Sequence, residues 1–238
     1  MKLSKRLELV ASFVPEGDRI ADVGTDHGYI PIHLVETGLC PGAIAMDVGE
    51  GPLKRARDHI RARGLEDKIE TRLCDGLSGL GPGDADTVVI AGMGGELLLR
   101  ILEEGRHVWE SIGHFVLSPQ SDVEKVRRYL EAEGFLLLEE AMVLDEGKYY
   151  TVFLAGRGKE ETGTYKRQSW YLYGKKLIEG KDQVLRSFLE KEGERLEKIL
   201  QGLEGRDTAA AAAAREDIVK QLAMVREVQE DMGCDVKR

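Results

Sequence analysis

The chain has 238 residues, a net charge of -9 and 42% hydrophobic residues, enough for a packed core and too many for wholesale disorder. The acidic surplus argues against a general nucleic-acid coat and is confined to residues 1–158, with 27 acidic against 18 basic side chains; residues 159–238 carry 16 of each. Cys40, Cys74 and Cys234 form no C-x-x-C pair, and no apolar run reaches membrane length, so neither a disulfide framework, a metal knuckle nor a membrane partner is expected, and a cytoplasmic protein is.

Residues 3–14 read as an amphipathic helix stopped by Pro15 and Gly17. Ile20–Val23 is a short buried strand, Gly24 to Gly28 a tight turn, and Tyr29 to about Glu36 a helix. A strand feeding a helix through such a turn directs backbone N–H groups at a ligand near the positive helix end. Strands follow at Ala43–Val48, Ile69–Cys74, Asp86–Ala91 and His114–Leu117. Helices are expected at Pro52–Arg63, Glu96–Glu103 and Val123–Glu133. This alternation predicts right-handed βαβ units and a parallel sheet covered on both faces. Phe135–Leu144 and Tyr149–Ala155 then form an antiparallel hairpin across Asp145–Lys148. A Rossmann-like α/β sheet closed by such a hairpin is the methyltransferase variant of the doubly wound fold.

After Gly156 the composition shifts to charged helix formers. Leu185, Leu189, Leu196, Ile199 and Leu203, then Ile218, Leu222, Val225 and Met232, keep the spacing of an antiparallel coiled-coil pair of helices. The expected domains are 1–158, the α/β methyltransferase-type domain, and 159–238, helical.

The dinucleotide fingerprint needs three glycines, but Asp26 stands where the second would be, between Gly24 and Gly28. A carboxylate there repels a pyrophosphate and suits the ammonium and sulfonium of S-adenosylmethionine. Asp47 ends the second strand and is placed either to accept both ribose hydroxyls or to cap the next helix. Asp75 is an acceptor for the adenine amino group with Gly76 leaving room for the ring, or a plain turn residue. Val48 and Leu77 flank the adenine or belong to the core. His27 either orients the methionine end or packs locally. Basic clusters, among them Lys2, Lys5 and Arg6 and also Lys175 and Lys176, are solvated faces or phosphate contacts.

The strings Asp22-Val23-Gly24-Thr25-Asp26-His27-Gly28-Tyr29, Ile90-Ala91-Gly92-Met93-Gly94-Gly95, Ser118-Pro119-Gln120 and Gly147-Lys148-Tyr149-Tyr150 together resemble the bacterial tRNA adenine-22 N1-methyltransferases. The resemblance implies a class I fold with a C-terminal coiled coil, S-adenosylmethionine as cofactor and tRNA as partner. It adds Asp22, Thr25, Gly92 and Met93 to the expected cofactor residues. Enzymes acting on exocyclic amines usually carry Asn/Asp-Pro-Pro-aromatic after strand four, which is missing here. Adenine N1 has an in-plane lone pair and needs no prior deprotonation, so in-line placement supplies most of the rate. Asp26 is the candidate catalytic acceptor of the N6 proton. Gln120, with Gly94, Gly95 and Arg6, is expected at the substrate, gripping the Watson–Crick edge of a base turned out of its stack. A monomer is expected. The competing readings are a methyltransferase on another RNA or a small molecule, and a nucleotide-binding module that recruits a partner through its helices.

Overall fold

The computed structural model describes residues 2–158, 165–206 and 208–234. The chain divides into two compact units, Met1–Thr164 and Tyr165–Arg238.

The first unit opens on helix α1 (Lys5–Ser12), whose N-cap Ser4 accepts from the Leu7 N–H. Strands β1 (Ile20–Val23), β2 (Ala43–Asp47), β3 (Ile69–Leu73), β4 (Thr87–Met93) and β5 (His114–Pro119) run parallel. They alternate with α2 (Tyr29–Glu36), α3 (Glu50–Arg61), α4 (Gly95–Glu104) and α5 (Val123–Ala132). Strands β6 (Phe135–Asp145) and β7 (Lys148–Arg157) complete a sheet in the order β3-β2-β1-β4-β5-β7-β6, β7 antiparallel to both neighbours. β1 and most of β2 are buried throughout, as strands covered on both faces must be.

Three boundaries differ from the sequence reading in ways that matter. β4 runs two residues further, through Gly92 to Met93, with a register shift between Ala91 and Met93. The glycine string therefore begins inside the sheet. α3 starts at Glu50, which places Pro52 third in the helix, where its missing N–H costs no hydrogen bond. The hairpin closes on a two-residue turn, Glu146-Gly147, with φ of 48° and 80°, the positive pair that a twisted hairpin favours.

The second unit contains α6 (Gln168–Tyr173), α7 (Lys175–Glu179), α8 (Gln183–Gly202) and α9 (Ala209–Asp231). α8 and α9 pack antiparallel. Arg186 Nη2 donates to the Met232 carbonyl at 3.4 Å, Glu197 pairs with Arg226 at 3.4 Å, and Arg215 donates to the Leu203 carbonyl at 3.0 Å. Of the expected seam, Leu185, Leu189, Leu196, Leu222, Val225 and Met232 are buried, while Ile199 is 37% exposed; Val228 joins them. The short α6 and α7 escaped the sequence reading because Gly174, at φ 92°, interrupts their periodicity. No described helix is long and apolar enough to cross a membrane.

Candidate functional site

Two cavities open at the carboxyl ends of the parallel strands, where α/β sheets hold their ligands. The first, about 290 Å³, is lined by Arg6, Leu7, Asp22, Gly24, Asp26, Tyr29, Ile30, Ala91, Gly92 and Gln120. The second, about 280 Å³, is lined among others by Asp47, Val48, Cys74, Asp75, Gly76, Met93, Leu97 and Arg100. They share Gly24, Ala91 and Gly92, so a ligand spanning both must cross Gly24.

Glycine is needed there for two reasons. Its φ is 73°, and a Cβ would stand 2.2 Å from Met93 Cε. The turn's N–H groups are used differently from expectation: Gly24 and Thr25 both donate to the Met46 carbonyl, at 2.9 and 2.8 Å. They tie β1 to β2 instead of facing a ligand. Gly28 caps α2 at φ 68° and packs on Ala56 of α3, lining neither cavity. Thr25, buried, and His27 do not line them either. His27 stacks on Tyr29 and His59, at 5.0 and 5.3 Å between ring centroids, and its carbonyl contacts His59 Nδ1 at 2.9 Å.

In the second cavity, Asp47 Oδ1 accepts from the Gly49 N–H at 2.7 Å, which orients the carboxylate at the start of α3. Val48 is 71% exposed and Leu97 41%, an apolar rim that a flat ring system would cover. Asp75 faces the Arg100 guanidinium at 3.6 Å. Gly76 is held at φ 55°, and its missing Cβ makes room for Ile101. Of the two readings open for Leu77 the structure takes the second: it is 1% exposed core, packed under Gly105. Burial raises the Cys74 thiol above its ordinary range.

Charge organises the first cavity. Asp22 is buried in β1, and burial pushes its carboxyl up to about 6, with Thr25 lowering it and the Asp47 carboxylate raising it further. Asp26 is exposed and paired with Arg55 at 2.8 Å. Arg6 reaches in from α1, anchored by its own N–H to Asp145 at 3.1 Å and by its guanidinium 5.3 Å from the Tyr150 ring centre. Its buried Nη1 has no hydrogen-bond partner among the described residues. Both Arg6 and Gln120 lean over Gly92: a Cβ there would meet Arg6 Nη1 at 3.3 Å and Gln120 Nε2 at 3.9 Å.

Gly94 and Gly95, expected at the substrate, line neither cavity. A Cβ on Gly95 would stand 2.5 Å from the Ser121 carbonyl, and the Gly95 N–H donates to Ser121 Oγ at 3.2 Å. They allow α4 to approach the loop after β5. Leu7, Tyr29, Ile30, Leu97 and Arg100 escaped the sequence reading. Helical spacing marked the apolar ones only as core.

A family model described as a methyltransferase domain matches residues 3–153. The tRNA (adenine(22)-N(1))-methyltransferase of Bacillus subtilis (strain 168) is 37% identical over 161 residues, 68% of each chain. The chain belongs to this methyltransferase family. The crystal structure of the B. subtilis m1A22 tRNA methyltransferase matches with a TM-score of 0.83 at 30% identity, covering 95% of this chain and 98% of that one. A Streptococcus pneumoniae family structure in complex with S-adenosyl-L-methionine matches with a TM-score of 0.83 at 35% identity, covering 95% and 99%. Both matches extend beyond the methyltransferase domain into the helical unit, so the family resemblance is not confined to the sheet.

Proposed function

We propose that the protein transfers the methyl group of S-adenosylmethionine to N1 of adenosine 22 in tRNA, as a cytoplasmic monomer. The observation that carries this reading is the pair of cavities meeting at Gly24, one rimmed by Val48 and Leu97 with two acids, the other charged and holding an arginine whose buried Nη1 has no hydrogen-bond partner among the described residues. The second suits an adenosine, with Asp47 on the ribose hydroxyls and Asp75 on the adenine amino group. The first suits a zwitterionic amino-acid end beside the target base. Residues 1–158 bind the cofactor, and 159–238 contribute basic side chains, among them Lys175 and Lys176, to the tRNA phosphates.

When bound, S-adenosylmethionine supplies an electrophilic sulfonium methyl. The chain's own residues hold the amino-acid end, exclude water over Gly92 and aim the base lone pair in line. Asp26, oriented by Arg55, accepts the proton that becomes acidic on N6 after transfer. Mass spectrometry of tRNA nucleosides after incubation with protein and S-adenosylmethionine tests the reaction. 1-Methyladenosine, with a reverse-transcription stop at position 22, is expected; N6-methyladenosine or an unmodified tRNA overturns it.

Arg6 meets the cofactor's α-carboxylate through its unpartnered Nη1. Arg6→Ala is expected to weaken S-adenosylmethionine binding about 30-fold, the scale of a lost charge-assisted hydrogen bond. It leaves 5′-methylthioadenosine, which lacks the amino-acid end, bound as before. Equal losses for both ligands reduce Arg6 to an anchor of α1. A change confined to the tRNA KM makes its anion a phosphate.

Asp22 makes binding depend on pH. Below about 6 its carboxyl is protonated in the free protein, and a cationic ligand must expel that proton to gain the charge. Cofactor affinity is therefore expected to fall as pH drops below about 6 and to level off above it. Asp22→Asn flattens the profile. The raised value also means that Asp22 contributes stability fully present below about 3.8 and lost as pH rises through about 6. At pH 7 the ligand-free Asn variant is thus expected to melt higher, and calorimetry across that window checks the sign.

A further inference from the structure

We propose that Gln120 selects adenine by its Hoogsteen edge, its side-chain carbonyl accepting from N6–H and its amide donating to N7, so that N1 stays free. This rests on the reading above that N1 is the methylated atom. It replaces a grip on the Watson–Crick edge, which would occupy the lone pair that has to attack.

Gln120 stands at the carboxyl end of β5 and lines the first cavity. Its backbone N–H donates to the Met93 carbonyl at 2.8 Å, which fixes it against the end of β4, beside the junction with the adenosine cavity. Its amide lies across Gly92, and its exposed carboxamide makes no hydrogen bond to any described residue. The other polar groups in this cavity cannot do the same work. Arg6 only donates, the ionised carboxylates of Asp22 and Asp26 only accept, and the Tyr29 hydroxyl is a single atom that cannot span N6 and N7 at once. A planar carboxamide offers one of each at the separation of N6 and N7, the pairing by which Asn and Gln read adenine elsewhere. Guanine presents two acceptors on that edge and leaves the carbonyl facing another oxygen. As the methyl transfers, positive charge spreads into the ring and N6–H becomes a better donor. The bond to the Gln120 carbonyl is then stronger in the transition state than in the ground state, which raises turnover and not only affinity.

Two tRNAs, with adenosine or 7-deazaadenosine at position 22, test the assignment on the full-length protein. The wild type is expected to lose about tenfold in kcat/KM on the 7-deaza tRNA, the scale of one hydrogen bond. Gln120→Leu loses about 100-fold on adenosine and nothing further on 7-deazaadenosine, two bonds having gone together. Its S-adenosylmethionine affinity and melting temperature stay at wild-type values, which a merely structural role would not allow. Equal wild-type rates on the two tRNAs, or a Gln120→Leu enzyme that keeps its preference for N7, overturn the proposal while N1 methylation stands. Absence of N1 methylation on the adenosine tRNA overturns the reaction and the proposal together.

Discussion

Glu140→Ala is expected to destabilise the methyltransferase unit by about 3–5 kcal/mol, the cost of stranding a buried charge. Arg127 projects inward from α5, and its Nε and Nη2 lie 2.7 and 2.6 Å from Glu140 Oε1 on β6. The two side chains are 1% and 0% exposed, and the guanidinium also lies 5.3 Å from the centre of the Phe153 ring on β7. Removing the carboxylate takes from the 1% exposed guanidinium the partner that accepts from both its Nε and Nη2. Urea unfolding measures the loss. Arg127→Met with Glu140→Leu is expected to recover most of it, because apolar groups of similar size avoid the desolvation both charges suffered. A Glu140→Ala protein as stable as the wild type would mean that water reaches Arg127.

Asp47→Ala is expected to weaken cofactor binding as strongly as Arg6→Ala does. The Asp47 carboxylate stands at the end of β2, held by the Gly49 N–H at 2.7 Å, and lines the second cavity. Losing charge-assisted bonds to two ribose hydroxyls costs about 2 kcal/mol, or roughly 30-fold in Kd. Asp47→Asn keeps the shape and part of the hydrogen bonding, so a smaller loss is expected. Isothermal titration with S-adenosylhomocysteine reads both. Unchanged affinity in a folded Asp47→Ala protein would leave Asp47 as the tether of the Gly49 turn alone.

Much of this architecture was legible because it is written locally. Ile20–Val23 and Ala43–Asp47 are short apolar runs bounded by turn residues, and such runs become central parallel strands in this context. Asp47 and Asp75 stood out because acids directly after apolar strands fall where ligands sit. The hairpin was visible in Gly147 between two β-rich runs, and the helical unit in its leucine spacing. Gly94 and Gly95 show what a glycine string leaves open: glycine marks close approach without saying what approaches, and here Ser121 does, through Oγ at Gly94 and its carbonyl at Gly95. For His27 the sequence left two readings open, and the structure takes the local one, the ring stacking on Tyr29.

By itself, then, the sequence determined the order and type of the elements of the sheet and of the two long C-terminal helices, the acids at the strand ends and the family strings. Each of these depends on neighbours within a few residues, through periodicity, φ preference and turn chemistry. Tertiary structure alone decided that Arg6, Asp22, Gly92 and Gln120 line one cavity, and that the Gly24 and Thr25 N–H groups are spent on Met46. Those residues are brought together by the parallel register of β1, β4 and β5 and by the anchoring of α1 to the hairpin at Asp145 and Tyr150. Contacts of that kind depend on the packing of the whole sheet, because the direction of a side chain in space is set by the pairing of its strand and not by its neighbours in the chain.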